Sequence, residues 1–256
     1  MAATVAAAIV ALACVGARGG VANDAGVAVA RSVRTEGDVA LATDPSAAFW
    51  QGGEAIIVDR DVHGAVVSGH RTTIYSRWTP ANLYFLFVCP YEKLNLKPEP
   101  RSDIETNKLW NWDVAEVFIG WDFEHIRRYK EFEMSPQGEW IDLNINLDHP
   151  HHEDGWTWNS GFEVKARIDP EAKIWYGAMR IPSTAILPVS GGVLTAANIH
   201  ASAPAGGPSP GLKFRVNFFR SQGPEVEQKH MAWQPPMAES FHTPEKFGVL
   251  ELVDAK

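Results

Sequence analysis

The segment 107–120 combines flat aromatic rings with amide and carboxylate groups. Trp110 and Trp112 alternate there with asparagine and aspartate, and Glu116 then interrupts an otherwise apolar run. This mixture suits a sugar, because the C–H face of a pyranose can stack on an indole ring while polar side chains bond the hydroxyls. The same residues would also suit packing at the rim of a sheet, with Glu116 paired to an arginine, because a buried carboxylate needs a partner. Residue types alone leave both interpretations open.

A second chemistry open to this chain is glycoside hydrolysis, which uses two carboxylates that flank the bond to be cut. Glu131 and Glu133 lie two residues apart, so on a strand their side chains share one face at a separation of about 7 Å. Either of them could act with Glu116 as an acid and base pair. Two acids on one strand are also typical of a solvated strand face. An enzyme is therefore the alternative to a binding protein.

Two stretches contain metal-ligand residue types without a complete metal-binding pattern. Asp59, Asp61 and Gly64 copy the opening of a calcium-binding loop, but the third acidic ligand and the distal glutamate are absent. Asp59 and Asp61 are the candidate ligands of a structural calcium ion, and a surface turn is the simpler interpretation. The run 149–154 (HPHHED) lacks the ligand spacings of zinc sites, so we predict a solvated loop there.

Strands must position these residues, because the hydrophobic pattern has a period of two. Apolar and polar residues alternate along 141–147, 162–168 and 212–218, which predicts strands with one face in a core and one in water. Further predicted strands cover 55–59, 71–78, 83–88, 114–120, 128–134, 173–181 and 248–253. Only 182–186 is predicted to form a short helical turn. We predict an all-β fold, an antiparallel β-sandwich of jelly-roll type with long loops at 98–108, 149–159, 187–211 and 222–246.

Composition and charge exclude several classes of protein. Of the 256 residues, 45% are hydrophobic and 21% are charged, which is typical of a globular chain and not of a disordered one. With 23 basic and 31 acidic residues the net charge is −8, so nucleic acid is a poor partner. The unusual count is that of tryptophan, at ten.

The N-terminal segment indicates export. Residues 1–17 are small and apolar, too short for a membrane span and similar to the core of a secretory signal. The basic residues that normally precede such a core are absent, so a disordered Ala-rich leader is the alternative. We assign 1–36 to a signal peptide or disordered leader and 37–256 to one domain of a secreted or periplasmic protein. Cys14 lies in the leader, and Cys89 is predicted to be a buried thiol without a disulfide partner.

The segment 110–119 (WNWDVAEVFI) resembles the signature of family 9 carbohydrate-binding modules, which are attached to xylanases and also occur in secreted bacterial proteins. Further segments resemble that family in the same order along the chain. They are 82–87 (NLYFLF), 129–134 (YKEFEM) with 138–140 (GEW), 214–218 (FRVNF), Trp233 and 244–252 (PEKFGVLEL). The resemblance spans roughly residues 38 to 253.

The resemblance implies a β-sandwich that grips the end of a glucan or xylan chain between two aromatic rings, usually with structural calcium. Trp110 falls on the first ring position and Phe241 on the second. Glu116 and Asn217 fall on positions that contact sugar hydroxyls. The implied function is carbohydrate binding without catalysis, in the breakdown or uptake of polysaccharide.

Two positions depart from the family. Glu133 stands where the family has a sugar-binding arginine, and Ala238 stands where it has a loop amide. Arg220, His242 or Gln234 would have to supply the missing polar contacts. Because related sandwiches also bind haem, a haem-binding module is a third hypothesis, with Met134, Met179 or His230 as axial ligands.

Overall fold

The computed structural model describes residues 26–188 and 207–255. The strands are β1 Val29–Arg34, β2 Ile56–Val58, β3 Arg60–Asp61, β4 Thr72–Trp78, β5 Asn82–Pro90, β6 Val114–Gly120, β7 Arg128–Met134, β8 Trp140–Asn146, β9 Glu163–Asp169, β10 Ile174–Pro182, β11 Lys213–Gln222, β12 Lys229–Ala232 and β13 Gly248–Val253. One helical turn, α1 Ser183–Ile186, follows β10 as predicted. Short 3-10 turns lie at Ala48–Trp50, Leu109–Asn111, His152–Thr157, Glu225–Glu227 and Pro244–Lys246.

The strands form one mixed sheet that folds over on itself as a sandwich. Its main path runs β8-β7-β6-β11-β13-β1-β4-β5-β10-β9, with β2 on β4 and β12 between β11 and β3. The two halves face each other across the core. Phe218 on β11 contacts Phe85 and Phe87 on β5, with ring centroids 5.4 and 6.4 Å apart. The predicted all-β sandwich is confirmed.

Strand β1 corrects both the predicted strand direction and the predicted domain boundary. It runs parallel to β13 and to β4, whereas the other described strand pairs are antiparallel. The boundary drawn after residue 36 therefore lies too late, because Val29–Arg34 belongs to the sheet. Small residues obscure the alternation of apolar and polar residues in β1. The buried residue Ser32 accepts a hydrogen bond from Ser76 Oγ at 2.8 Å, at a position where a strand normally has a large apolar side chain. Residues 1–17, which resemble a secretory signal, lie outside the described residues.

Both faces of β6 are buried, although Glu116 interrupts its apolar sequence. Ala115, Val117 and Ile119 point into the core between the two halves of the sheet. Val114 and Phe118 point the other way, into a second apolar cluster. The long loops that the sequence predicts supply this second layer. The outer face of β6, β7 and β11 is thus a covered surface in which a site can be enclosed.

Two further predictions concern the burial of Cys89 and membrane-spanning helices. Cys89 is fully buried in the core, as predicted, and burial raises the pKa of its thiol to about 11. Within residues 26–188 and 207–255, no helix is long and apolar enough to cross a membrane. Most of the predicted loop 187–211 lies outside the described residues.

Candidate binding cleft

The floor of a cleft is formed by the outer face of three neighbouring strands. Glu116 on β6 pairs directly with Glu133 on β7, and Phe118 pairs with Glu131. On the other side, Ser221 of β11 pairs with Val114 of β6. Directly paired residues of an antiparallel ladder point to the same face. The sheet therefore presents three glutamates, an aromatic ring and a hydroxyl side by side.

Three loops build the walls over this floor and enclose a cleft of about 520 Å³. This volume is within the usual range for small-ligand sites. The 3-10 turn Leu109–Asn111, the 3-10 turn His152–Thr157 and the loop 233–247 each contribute side chains. The lining residues are Lys108, Trp110, Asn111, Glu116, Phe118, Glu131, Glu133, Leu143, His152, Glu153, Ser221, Gln228, His230, Glu239, Phe241 and His242.

The backbone around Leu109 positions Trp110. Lys108 adopts a left-handed conformation with φ of 62°, which turns the chain sharply before the 3-10 turn. Leu109 is fully buried in the outer apolar cluster, and Trp110 packs against that cluster while remaining partly accessible. A buried leucine thus anchors a turn whose next residue faces the cleft.

Phe241 lines the same cleft from another loop. Its ring is stacked on buried Phe219, with centroids 4.1 Å apart and planes 13° apart, and His230 meets it edge-on at 5.5 Å. Stacking on a buried ring restricts the orientation of Phe241. Trp110 and Phe241, which are 131 positions apart in the chain, therefore border one cavity.

The three floor glutamates form a buried acidic cluster. Glu116, Glu131 and Glu133 are 2%, 3% and 0% exposed, and one carboxylate oxygen of each lies within 4.8 Å of the other two. Ser221 Oγ donates weakly to Glu116 Oε1 at 3.5 Å. Burial, reinforced by repulsion from the neighbouring glutamates, raises the pKa of Glu116 and of Glu133 well above the usual range, and burial raises that of Glu131 to about 7.

A histidine lies beside this cluster. Nδ1 of His242 is 2.6 Å from Tyr129 Oη, and Nε2 is 4.0 Å from Glu131 Oε2. The ring of His152 meets His242 edge-on at 4.5 Å. Burial, together with repulsion from His152, lowers the pKa of His242 to about 4, so its imidazole is neutral at pH 7.

Two polar residues from the predicted site have other partners. Arg220 points to the opposite face of β11, where it is buried and donates to Thr72 Oγ1 at 2.9 Å and to Pro90 O at 2.6 Å. Its predicted role as a cleft residue is wrong. Successive side chains of a strand point to opposite faces, so residues 219 and 221 point outward and residue 220 points into the core. Asn217 is on the outer face but bonds both backbone groups of Gln234, so it holds a loop and does not line the cleft.

Trp112 also lies outside the cleft. It is partly buried, Lys97 Nζ lies 6.0 Å from its ring centroid, and its backbone oxygen accepts from Gln228 Nε2 at 3.3 Å. The indole therefore packs beside the cleft loop. Of the predicted site residues, Trp110, Glu116, Glu133, Phe241 and His242 share the cleft.

The residues proposed for structural calcium do not fit that role. Asp61 Oδ1 accepts hydrogen bonds from the backbone N–H groups of His63 and Ala65, both at 2.9 Å. Asp59 Oδ2 lies 3.8 Å from the Arg71 guanidinium. In the described part of the chain, no third acidic or histidine ligand joins Asp59 and Asp61 in a metal-sized group. This segment is the surface turn that the sequence also allowed.

The haem hypothesis does not fit the structure either. Met134 and Met179 are buried in the core between the two halves of the sheet, whereas His230 lines the cleft on the outer face. Met134 and Met179 therefore cannot reach the cleft, and of the three proposed axial ligands His230 alone lines it. The histidine run is exposed at His151, but His152 turns inward and lines the cleft.

Several cleft residues were not singled out from the sequence as binding residues: Lys108, Asn111, Gln228 and Glu239. Each lies in an irregular loop or 3-10 turn, where no periodic pattern indicates the direction of a side chain. Glu131 was singled out only as a possible catalytic acid or base, and it lies on the strand face of Glu133 as predicted.

Comparison with known proteins shows the fold. No protein-family model matches the sequence, and no curated protein matches it. Among solved structures, the fold is similar to a family 9 carbohydrate-binding module from Caldicellulosiruptor kristjanssonii in complex with cellotriose. That match has a TM-score of 0.57 and 12% identity, and covers 89% of this chain and 95% of the module.

Two further solved structures agree. The same kind of module from that organism in complex with glucose matches with a TM-score of 0.56 and 13% identity, over 88% of this chain and 97% of the module. A proposed carbohydrate-binding protein from Bacteroides uniformis ATCC 8492 matches with a TM-score of 0.61 and 14% identity, over 88% of this chain and 98% of that protein. The chain therefore has the fold of family 9 carbohydrate-binding modules.

Proposed function

We propose that this protein binds carbohydrate in the cleft between Trp110 and Phe241. The observation that carries the proposal is that two partly accessible aromatic rings from distant loops border one open cavity above buried polar groups. Stacking surfaces next to hydrogen-bonding groups are what a pyranose needs, because its ring has apolar C–H faces and a rim of hydroxyls.

Polar side chains would orient the sugar. Lys108, Asn111 and Gln228 offer N–H donors to the cleft, and Glu239 offers an acceptor. Stacking and hydrogen bonds each contribute about 1 kcal/mol, so a few such contacts give an affinity on the order of millimolar to micromolar. The similarly folded modules hold cellotriose and glucose, so glucose-based sugars are the first ligands to test.

The test is calorimetric titration with glucose, cellobiose, cellotriose and xylotriose. Trp110→Ala should weaken the binding of the best ligand by about tenfold or more, because it removes one stacking face. Trp112→Ala is the matched control, since it removes a neighbouring indole that does not line the cleft. Equal affinity of the Trp110→Ala variant and the unmodified protein would refute the aromatic site.

Glycoside hydrolysis is the second candidate, favoured by the convergence of Glu116, Glu131 and Glu133 in the cleft. The three carboxylates lie side by side on one sheet face, whereas glycosidases place two on either side of the sugar bond. We rank binding first for this reason. Turnover of chromogenic glycosides that disappears in Glu116→Gln would establish the enzyme instead.

Export is a further part of the proposal, supported by the apolar leader-like sequence of residues 1–17. N-terminal sequencing of the protein recovered from the periplasm or medium tests it. A mature chain that starts at residue 18 or at residue 23 is expected. A chain that stays in the cytoplasm with its first residues intact would contradict it.

A further inference from the structure

The acidic cluster on the cleft floor lacks the partners that buried carboxylates require. Both carboxylate oxygens of Glu133 and Oε2 of Glu131 are buried and accept from no N–H or hydroxyl group in the described part of the chain, so Glu131 and Glu133 can hydrogen-bond each other only when one of them is protonated. His242 Nε2 lies 4.0 Å from Glu131 Oε2, but its imidazole is neutral at pH 7 and does not balance the charge of a carboxylate. Isolated buried carboxylates are costly, so such groups normally face a cation or share a proton.

The geometry matches that of a metal site. One oxygen from each glutamate lies within 4.8 Å of the other two, so a single ion placed among them can contact all three. Cross-strand pairing fixes Glu116 opposite Glu133, and Glu131 follows on the same face of β7. The ligands therefore lie on neighbouring strands of a rigid sheet, and the cleft gives an ion access from solvent.

His242 offers a nitrogen donor beside this group, although its ring does not belong to the set of ligand atoms that lie within 4.8 Å of one another. Its Nδ1 is engaged by Tyr129 Oη at 2.6 Å, and its Nε2 faces Glu131 Oε2 at 4.0 Å. A second partner that holds one ring nitrogen is the usual way in which proteins orient a ligating histidine. Three carboxylates alone would suit Ca²⁺ or Mg²⁺, whereas adding an imidazole favours Mn²⁺ or Zn²⁺.

We propose that Glu116, Glu131, Glu133 and His242 form a binding site for a divalent metal ion of the Mn²⁺ or Zn²⁺ class. Metal binding at this site does not require that the cleft also binds sugar. The rival arrangement is a metal-free cluster in which protons shared between the carboxyls take the place of the ion.

The experiment is calorimetric titration of chelator-treated protein with MnCl₂, ZnCl₂, CaCl₂ and MgCl₂, followed by thermal unfolding of each mixture. We expect saturable binding of Mn²⁺ or Zn²⁺ near one ion per chain, with a rise in Tm because the ion binds only the folded state. Ca²⁺ and Mg²⁺ should bind more weakly. Tighter binding of Ca²⁺ than of either transition metal would contradict the role of His242.

The substitution Glu133→Gln tests the metal site most directly. It should weaken metal binding by about tenfold or more, because a ligand charge is lost. It should also raise the Tm of the metal-free protein, because folding then no longer has to protonate or desolvate this carboxylate. Glu131→Gln should behave in the same way, which keeps the test valid if one variant folds poorly. Substitution of a residue with only a structural role would not lower the metal affinity while raising the Tm of the metal-free protein.

Glu139→Gln is the matched control, since Glu139 is a fully buried glutamate outside the cleft whose Oε2 accepts from Ser135 Oγ at 2.6 Å. Its metal affinity should equal that of the unmodified protein. Absence of metal binding in the unmodified protein would show that the cluster shares protons, and overturns the proposal. Metal binding that is unchanged in Glu131→Gln and Glu133→Gln would also overturn the proposal. The ion would then be bound by other residues, such as those of the run 149–154.

Discussion

Asp113 stands just before β6 as a buried carboxylate with one satisfied oxygen. Its Oδ1 accepts from the backbone N–H of Gly223 at 2.7 Å, whereas Oδ2 has no hydrogen-bond partner among the described residues. Burial raises the pKa of Asp113 to about 6, against an ordinary value of 3.8. The folded state therefore holds this proton more tightly than the unfolded state does.

The pKa shift of Asp113 predicts a pH dependence of stability. Between pH 3.8 and 6 the folded state binds more protons than the unfolded state at this site, so its contribution to stability falls as pH rises through that window. Asp113→Asn keeps an oxygen acceptor and removes the titration. The variant should gain up to about 3 kcal/mol over the unmodified protein between pH 3 and pH 7, measured by urea unfolding. A difference that does not change with pH would contradict the assignment.

In a regular strand, the direction of each side chain follows from its position, because successive side chains point to opposite faces of the sheet. Glu131 and Glu133 could be placed on one face because they lie two residues apart in one predicted strand, whereas the pairing of Glu116 with Glu133 depends on the strand register. Arg220 was misplaced because its segment was judged by residue type and not by parity. The position of Phe241 over Phe219 follows from no local pattern, since a loop of irregular backbone carries it.

Among the elements, the 3-10 turn His152–Thr157 depends on close packing against β8. A methyl group at Gly155 would lie closer than 3.0 Å to the backbone oxygen and carbon of Asn144. Backbone atoms cannot move aside as a flexible side chain can. Gly155→Ala should therefore cost about 1–3 kcal/mol of stability and displace His152 from the cleft.

Urea unfolding of the Gly155→Ala variant measures that cost. Gly37→Ala is the control, because a methyl group there meets no atom within 4 Å and should leave the unfolding free energy nearly unchanged. If the two variants have the same stability, the turn is not packed on β8 in the way described.

For the whole molecule, β1 joins the two halves of the sheet between β13 and β4. A chain that begins at residue 26 keeps β1 and should unfold in one cooperative transition. A chain that begins at residue 37 lacks β1, leaves the facing edges of β13 and β4 unpaired, and should fail to fold or aggregate. Circular dichroism and thermal unfolding of the two chains decide the point. Equal stability of both would restore the domain boundary at residue 36.

The amino-acid sequence by itself determined the fold class, the buried state of Cys89 and the aromatic–acidic composition of segment 110–119. Each of these depends on local periodicity or on residue type, which a single segment carries. The tertiary structure alone decided the parallel place of β1, the burial of both faces of β6, and the joining of Trp110, Phe241 and three glutamates in one cleft. Those features depend on strand pairing and loop packing between residues far apart in the chain, and no local pattern specifies such contacts.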